Sequence, residues 1–282
     1  MKDFSFNLIK KIRKKYNLHI NLHINSICNR KCVYCFARNE FKWNIFMTIE
    51  EIRDIYEKLN KLDKKNLISL IGGEPFLHQN FKEILKLKSK HDIHIYTNGT
   101  INIKPYISLL KNKFITFSLH YNIENYFNTF LENLKQAEKN NLNYQFNFVF
   151  FNCNDKEYLA KFDKILEFIP KEKIIISPVH DYFDDYNLYF EKYLNFLKEK
   201  KFYDQFISNY KLKNKKIKYC LYNEINIRKE DCIFFETADC TLPYLNKKEF
   251  NNYYLELNKF KKEKICNKNC KNDFAYYGSI IR

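Results

Sequence analysis

No apolar run in these 282 residues approaches the ~20 needed to cross a bilayer. Residues 1–16 alternate lysine with apolar side chains but lack the h-region and cleavage site of a secretion signal. These absences lead us to expect a cytoplasmic protein with no membrane partner. No Lys/Arg block stands apart as an arm or tail, because the net charge of +16 is spread along the whole chain. A basic face can attract nucleic acid or an acidic peptide. Here the lysines read instead as solvated helix faces, and a nucleic-acid partner is not expected. Internal repeats and low-complexity linkers are missing too. What the chain does have is core-forming material. Apolar residues make up 45% and aromatics 18%, which suits a globular chain able to bury an α/β core and carry a small appended module.

Short apolar runs alternate with helical patterns up to about residue 180. The runs predict strands over 19–24, 67–71, 93–97, 114–119, 144–151 and 174–179. Helices are predicted over 49–59 behind a Thr48 N-cap, 81–87, 126–140, and 156–168 behind Asp155 or Asn154. Six strand-then-helix units imply a parallel α/β sheet. Six are too few for the full eight-unit barrel, so an open, partial (β/α)6 TIM-like barrel is expected over residues 1–180, with its site at the C-terminal strand ends. Residues 181–216 read as a helical bridge (186–198 and 202–210). Residues 217–282 read as a second, smaller unit with a β-hairpin, 224–228 and 233–236, and a short helix near 250–260.

The nine cysteines are distributed unevenly. Cys28, Cys32 and Cys35 sit together, Cys153 stands alone, and Cys220, Cys232, Cys240, Cys266 and Cys270 fall late in the chain. An odd count without an export signal argues for metal or catalytic thiols over a disulfide framework. Three thiolates in one loop after the first strand can ligate three irons of a cubane and leave the fourth open. Two other readings remain: a zinc site completed by His23 or His78, or three incidental thiols.

Cys28-x3-Cys32-x2-Cys35, with aromatic Tyr34 before the third cysteine, resembles the signature of the radical S-adenosylmethionine superfamily. Further motifs follow in that superfamily's order, each at a strand end. Gly72-Gly73-Glu74-Pro75 closes the second strand, where the resemblance implies contact with the methionine amino group. Thr97-Asn98-Gly99 closes the third. Ser118 and His120 close the fourth, where relatives place a serine and an acidic residue on the ribose; His120 departs from that pattern. Asn147 and 176–179 are candidates for the adenine. The implied cofactors are a catalytic [4Fe–4S] cluster and S-adenosylmethionine, reduced by an external electron donor such as flavodoxin or ferredoxin. Arg30 and Arg38 flank the loop, either balancing its charge or simply solvated.

Cys220, Cys240, Cys266 and Cys270 resemble the ligand set of the twitch module, a short relative of the SPASM extension, which implies a second, auxiliary [4Fe–4S] cluster. Zinc on the same thiolates is the alternative. Cys153 and Cys232 are candidate hydrogen-atom donors, against a reading as a buried small hydrophobe and an incidental thiol. By resemblance, the chain is expected to be a radical enzyme acting on a peptide or protein. A radical dehydrogenase or isomerase of a small molecule is the second expectation. A nucleotide-acting, viperin-like enzyme is the third, and a zinc-stabilised nucleic-acid-binding protein belongs to a different class altogether.

Overall fold

A computed structural model describes residues 16, 18–35, 45–151, 154–179 and 186–204, together with the backbone of strands at 224–227, 233–237 and 240–245. Six parallel strands form the frame: β1 (His19–Asn25), β2 (Leu67–Gly72), β3 (Asp92–Thr97), β4 (Phe114–Leu119), β5 (Asn143–Phe150) and β6 (Ile174–Pro178). Helices between them are α1 (Ile49–Asn60), α2 (Phe81–Lys86), α3 (Ile107–Leu110), α4 (Phe127–Lys139) and α5 (Lys156–Leu166); α6 (Tyr186–Glu199) follows β6. The strand order runs β6-β5-β4-β3-β2-β1, so the parallel sheet stays open, as a partial barrel requires.

Each crossover has a local cause. Thr48 accepts from the Glu51 N–H while the Glu51 carboxylate accepts from the Thr48 N–H, a reciprocal cap that starts α1 where expected. Ile52, Ile55, Tyr56 and Leu59 then lie on one buried stripe. Asp155 caps α5 through the Tyr158 N–H. The short α3, a single turn, has no counterpart among the expected helices. At four residues it is too brief to leave a helical period in the sequence.

Strand side chains divide by parity. Ile20, Leu22, Ile24, Ile68, Leu70, Ile93, Ile95, Ile115, Phe117, Phe146 and Phe148 enter the main core with the helices. The opposite face carries polar residues even where it is buried, among them His23, Ser69, His94, Thr116 and Gln145. His94 Nε2 and Gln145 Nε2 both meet the Thr116 hydroxyl, at 2.7 and 2.8 Å, in a rung across three strands.

Three later strands join the same sheet. β7 (Glu224–Ile227) runs parallel to β1, and β8 (Ile233–Thr237) and β9 (Cys240–Leu245) continue antiparallel beyond it. The expected hairpin is therefore present, extended by a third strand and joined to the barrel at its β1 edge. Residues 205–210 of the second bridge helix and the helix near 250–260 lie outside the described residues.

Candidate active site

The cysteine loop leaves β1 and returns beside it. Ser26 donates its N–H to the Ile45 carbonyl at 2.9 Å, and Met47 donates to Ile24 at 2.9 Å. From below, the loop rests on the end of β2. Gly73 donates to the Asn25 carbonyl at 3.0 Å, and Glu74 to the Ile27 carbonyl at 2.7 Å. A Cβ on Gly72 would lie 2.0 Å from the Asn25 oxygen, and one on Gly73 would lie 2.1 Å from the Ile27 oxygen. The backbone that these two glycines admit is that of the cysteine loop.

Cys28, Cys32 and Cys35 are free thiols and half-buried. Burial pushes the Cys28 thiol up to about 11, and it raises Cys32 as well against the opposing pull of Arg30. Such thiols remain protonated near neutral pH unless a positive partner takes the thiolate, as ligated iron does. Among the described residues no three His, Cys, Asp or Glu side chains converge on one metal ion. A cubane takes each thiolate at a different iron, so convergence on one point is not required. His78 cannot complete a zinc site as it stands, because Nε2 meets the Met47 carbonyl at 2.8 Å and Nδ1 accepts from Asn80 at 3.1 Å. Beside the loop, Asn25 Oδ1 and Arg30 Nε are buried without a hydrogen-bond partner. An orphaned buried acceptor suits an ammonium, and an orphaned buried donor suits a carboxylate. The donor set therefore fits a cluster with an amino-acid group beside it.

Glu74 is fully buried, and its carboxylate is taken up internally. One oxygen accepts from the Thr97 hydroxyl at 2.8 Å and the Phe76 N–H at 3.1 Å; the other accepts from the Asn98 N–H at 2.7 Å. Burial pushes its pKa up to about 7, since these three donors only partly replace lost water. The carboxylate thus joins the ends of β2 and β3. Pro75 opens the short 3-10 turn Pro75–Leu77 that Glu74 caps.

On the other side of the loop, the Tyr34 hydroxyl accepts from the Tyr121 N–H at 3.0 Å and meets His120 Nδ1 at 3.1 Å. Burial and the Arg30 charge push the His120 pKa down to about 4, so the ring is neutral at physiological pH. Arg30 donates through Nη2 to the carbonyls of Tyr121 and Asn122, which ties that end of its guanidinium to the loop after β4. Asn147 donates to Ser118 Oγ at 3.4 Å and accepts from Ser177 at 2.8 Å, a polar row across the ends of β4, β5 and β6.

Tyr34, Glu74, Asn98 and His120 are thus gathered around the three cysteines by direct hydrogen bonds or loop contacts, with Ser118 and Asn147 on the adjoining strand ends. Among the late cysteines, only the backbone of Cys240 is described, opening β9 opposite Thr237. Cys153, Cys220, Cys232, Cys266, Cys270 and Arg38 lie outside the described residues. Several residues were not singled out in advance: Asn25, Asn29, Thr100 and Asn133. Asn133 had a readable signal, an amide on the apolar stripe of α4 between Phe130 and Leu134. Its side chain donates to the Gly99 and Ile101 carbonyls, each at 2.8 Å, and accepts from Ile103 at 3.0 Å, clamping the loop after β3.

Residues 22–141 match the family model of the Radical SAM superfamily. Over that stretch the chain is similar to the Radical SAM superfamily. Its cysteine loop, the Gly72–Pro75 turn and the end of β4 all fall within the match. Two curated relatives share this region. The "Probable GTP 3',8-cyclase" of Methanocella arvoryzae is 38% identical over 77 residues, covering 26% of this chain and 24% of its own. The S-adenosylmethionine-dependent nucleotide dehydratase of Selenomonas ruminantium is 33% identical over 93 residues, 32% of each chain. The chain thus spans a third or less of the length of these relatives. Among solved structures, native anSMEcpe with bound AdoMet superposes with a TM-score of 0.61 at 16% identity, over 87% of this chain and 83% of that one. Streptococcus suis SuiB bound to precursor peptide SuiA does so at 0.58 and 15%, over 88% and 67%. At such identities the likeness speaks for the fold alone.

Proposed function

We propose that this protein is a radical enzyme that reductively cleaves S-adenosylmethionine and removes a hydrogen atom from a peptide or protein substrate. The observation that carries the reading is the loop of Cys28, Cys32 and Cys35, three free thiols lodged on Gly72 and Gly73 at the strand ends. When bound, the cluster and S-adenosylmethionine supply one-electron cleavage to methionine and a 5′-deoxyadenosyl radical, which takes the hydrogen atom. The electron comes from an external donor such as flavodoxin or ferredoxin. The chain's own residues bind and orient. Asn25 and Arg30 offer an acceptor and a donor to the amino-acid end of S-adenosylmethionine. Ser118 and neutral His120 offer hydroxyl and imidazole groups to the ribose, and Asn147 offers an amide to the base.

In this reading Cys220, Cys240, Cys266 and Cys270 hold an auxiliary [4Fe–4S] cluster in a twitch-like module, and Cys153 or Cys232 returns a hydrogen atom. A peptide substrate is supported by the fold likeness over most of the chain to SuiB, which is bound to its precursor peptide. A second reading, a small polar substrate such as a nucleotide, is supported by the two nucleotide-acting relatives and by the polar rung of His94, Thr116 and Gln145.

Anaerobically reconstituted protein, reduced in the presence of S-adenosylmethionine, should release 5′-deoxyadenosine; no release under a competent reductant overturns the radical reading. About eight irons per chain are expected if both clusters are cubanes. A value near four, unchanged by Cys266→Ala and Cys270→Ala, removes the auxiliary cluster. Consumption of nucleoside triphosphates, with peptides untouched, would favour the second reading.

A further inference from the structure

Asn98 is the one side chain of the strand-end motifs for which the structure gives a direct hydrogen bond to a cysteine of the loop. Its Nδ2 lies 3.6 Å from Cys28 Sγ and 3.0 Å from Asn29 Oδ1, so each of its two N–H groups has an acceptor. The orientation of the amide is over-determined. Oδ1 accepts from the Thr100 N–H at 3.0 Å and the Thr100 hydroxyl at 2.6 Å, and flipping the amide would set a donor against a donor. Thr100 also receives the Asn29 amide at 2.8 Å, which ties the same cluster of side chains back to the cysteine loop. The Asn98 backbone is held by the Glu74 carboxylate at 2.7 Å; Asn98, Thr100 and Glu74 are buried, while Cys28 and Asn29 are half-buried. Cys28 receives a second donor, the Arg30 backbone N–H at 3.3 Å.

We propose that Asn98 is a positioning residue that sets the reduction potential of the cluster on Cys28, by donating a hydrogen bond to its thiolate from an amide locked by Thr100 and Glu74. This rests on the reading of Cys28, Cys32 and Cys35 as cluster ligands. An N–H donated to a cysteine sulfur withdraws electron density from it. The more negative, reduced cluster gains most from that donation, so the bond raises the potential. The donor's own burial limits how far water competes for that bond. The device also couples the potential to the end of β3: whatever moves Thr97-Asn98-Gly99 moves the donor.

Asn98→Asp keeps the shape and the acceptor for Thr100 but replaces the donor toward Cys28 with an oxygen; Asn98→Ala removes the side chain. Both are to be reconstituted anaerobically in the full chain. The cluster is followed by redox titration of the electron paramagnetic resonance signal that changes when S-adenosylmethionine is added. The expected result is a midpoint more negative than wild type in both variants, with larger displacement in Asn98→Asp, while the iron content of the site is retained. Thr100→Val, which removes the hydroxyl bond to the amide and leaves the Thr100 N–H bond in place, should shift the midpoint in the same direction by less. Unchanged midpoints with iron retained overturn the proposal. If the Asn98 variants fail to hold iron, Thr100→Val decides: a more negative midpoint sustains the proposal and an unchanged one overturns it. Wild-type protein that assembles no such cluster would instead defeat the underlying reading.

Discussion

Gly73 and Ile27 are so close that a Cβ on the glycine would stand 2.1 Å from the Ile27 carbonyl oxygen. The contact is backbone against backbone, and no rotamer change relieves it. Gly73→Ala is expected to push the cysteine loop off β2 at a cost of ~2 kcal/mol or more. Iron bound at the Cys28, Cys32 and Cys35 site should fall by at least half, read by iron and sulfide analysis after reconstitution, while far-ultraviolet circular dichroism stays close to wild type. Wild-type iron content would contradict the assigned role of the glycine.

Asn133 supports the site from behind. Its amide serves three backbone groups of the loop after β3. Asn133→Leu leaves all three buried without partners, at ~1–3 kcal/mol each, so a loss of roughly 3 kcal/mol or more is expected from the urea midpoint. Asn133→Asp keeps the acceptor for Ile103 but loses both donors, and should fall between wild type and the leucine variant.

The Tyr34 hydroxyl joins the cysteine loop to the end of β4 through Tyr121 and His120. Tyr34→Phe keeps the ring packed on Phe151, 4.8 Å away, and removes those bonds together with the hydroxyl's hydrogen bond to Cys32. A stability loss of about 1 kcal/mol is expected. If His120 meets the ribose, S-adenosylmethionine affinity should drop several-fold at unchanged iron content, measurable by equilibrium dialysis of the reconstituted protein.

His91 is held in its neutral form: Nδ1 accepts from Asn66 at 3.0 Å, and Nε2 donates to the Leu59 carbonyl at 2.6 Å. Burial lowers its pKa below the ordinary 6.5. A depressed histidine contributes stability that is present above the unfolded pKa and is lost as pH falls below it. Glu74, pushed up to about 7, acts with the opposite sign, losing its contribution as pH rises through that value. The informative quantity is therefore the difference between proteins that share Glu74. His91→Gln should be less stable than wild type at pH 7.5, and the gap should narrow toward pH 5, as read from urea midpoints at both pH values. A gap of constant size would place the effect of His91 outside its titration.

The parallel strands and most of their helices were legible because each buries one continuous stripe, and a stripe has a period. Thr48 and Asp155 announced their helix starts by residue type. The spacing of Cys28, Cys32 and Cys35, and the motifs at the ends of β2, β3 and β4, were equally open to reading. What could not be read was which neighbour each motif serves. Gly72 and Gly73 were visible as permissive backbone, but that they admit the cysteine loop depends on β1 and β2 lying side by side. Glu74 was visible as a carboxylate, but its three donors come from its own turn and from β3, more than 20 residues on.

The sequence by itself determined the elements and the grouping of three thiols in the Cys28 loop, since periodicity, capping and thiol spacing are properties of short stretches of chain. Only the tertiary structure decided that Asn98 turns its amide to Cys28, that Asn133 on α4 holds the β3 loop in place, and that β7 returns to pair with β1. These are contacts between segments distant in the chain. Their partners are selected by packing and by the need of every buried polar group for a hydrogen bond, and neither leaves a periodic trace in the residues themselves.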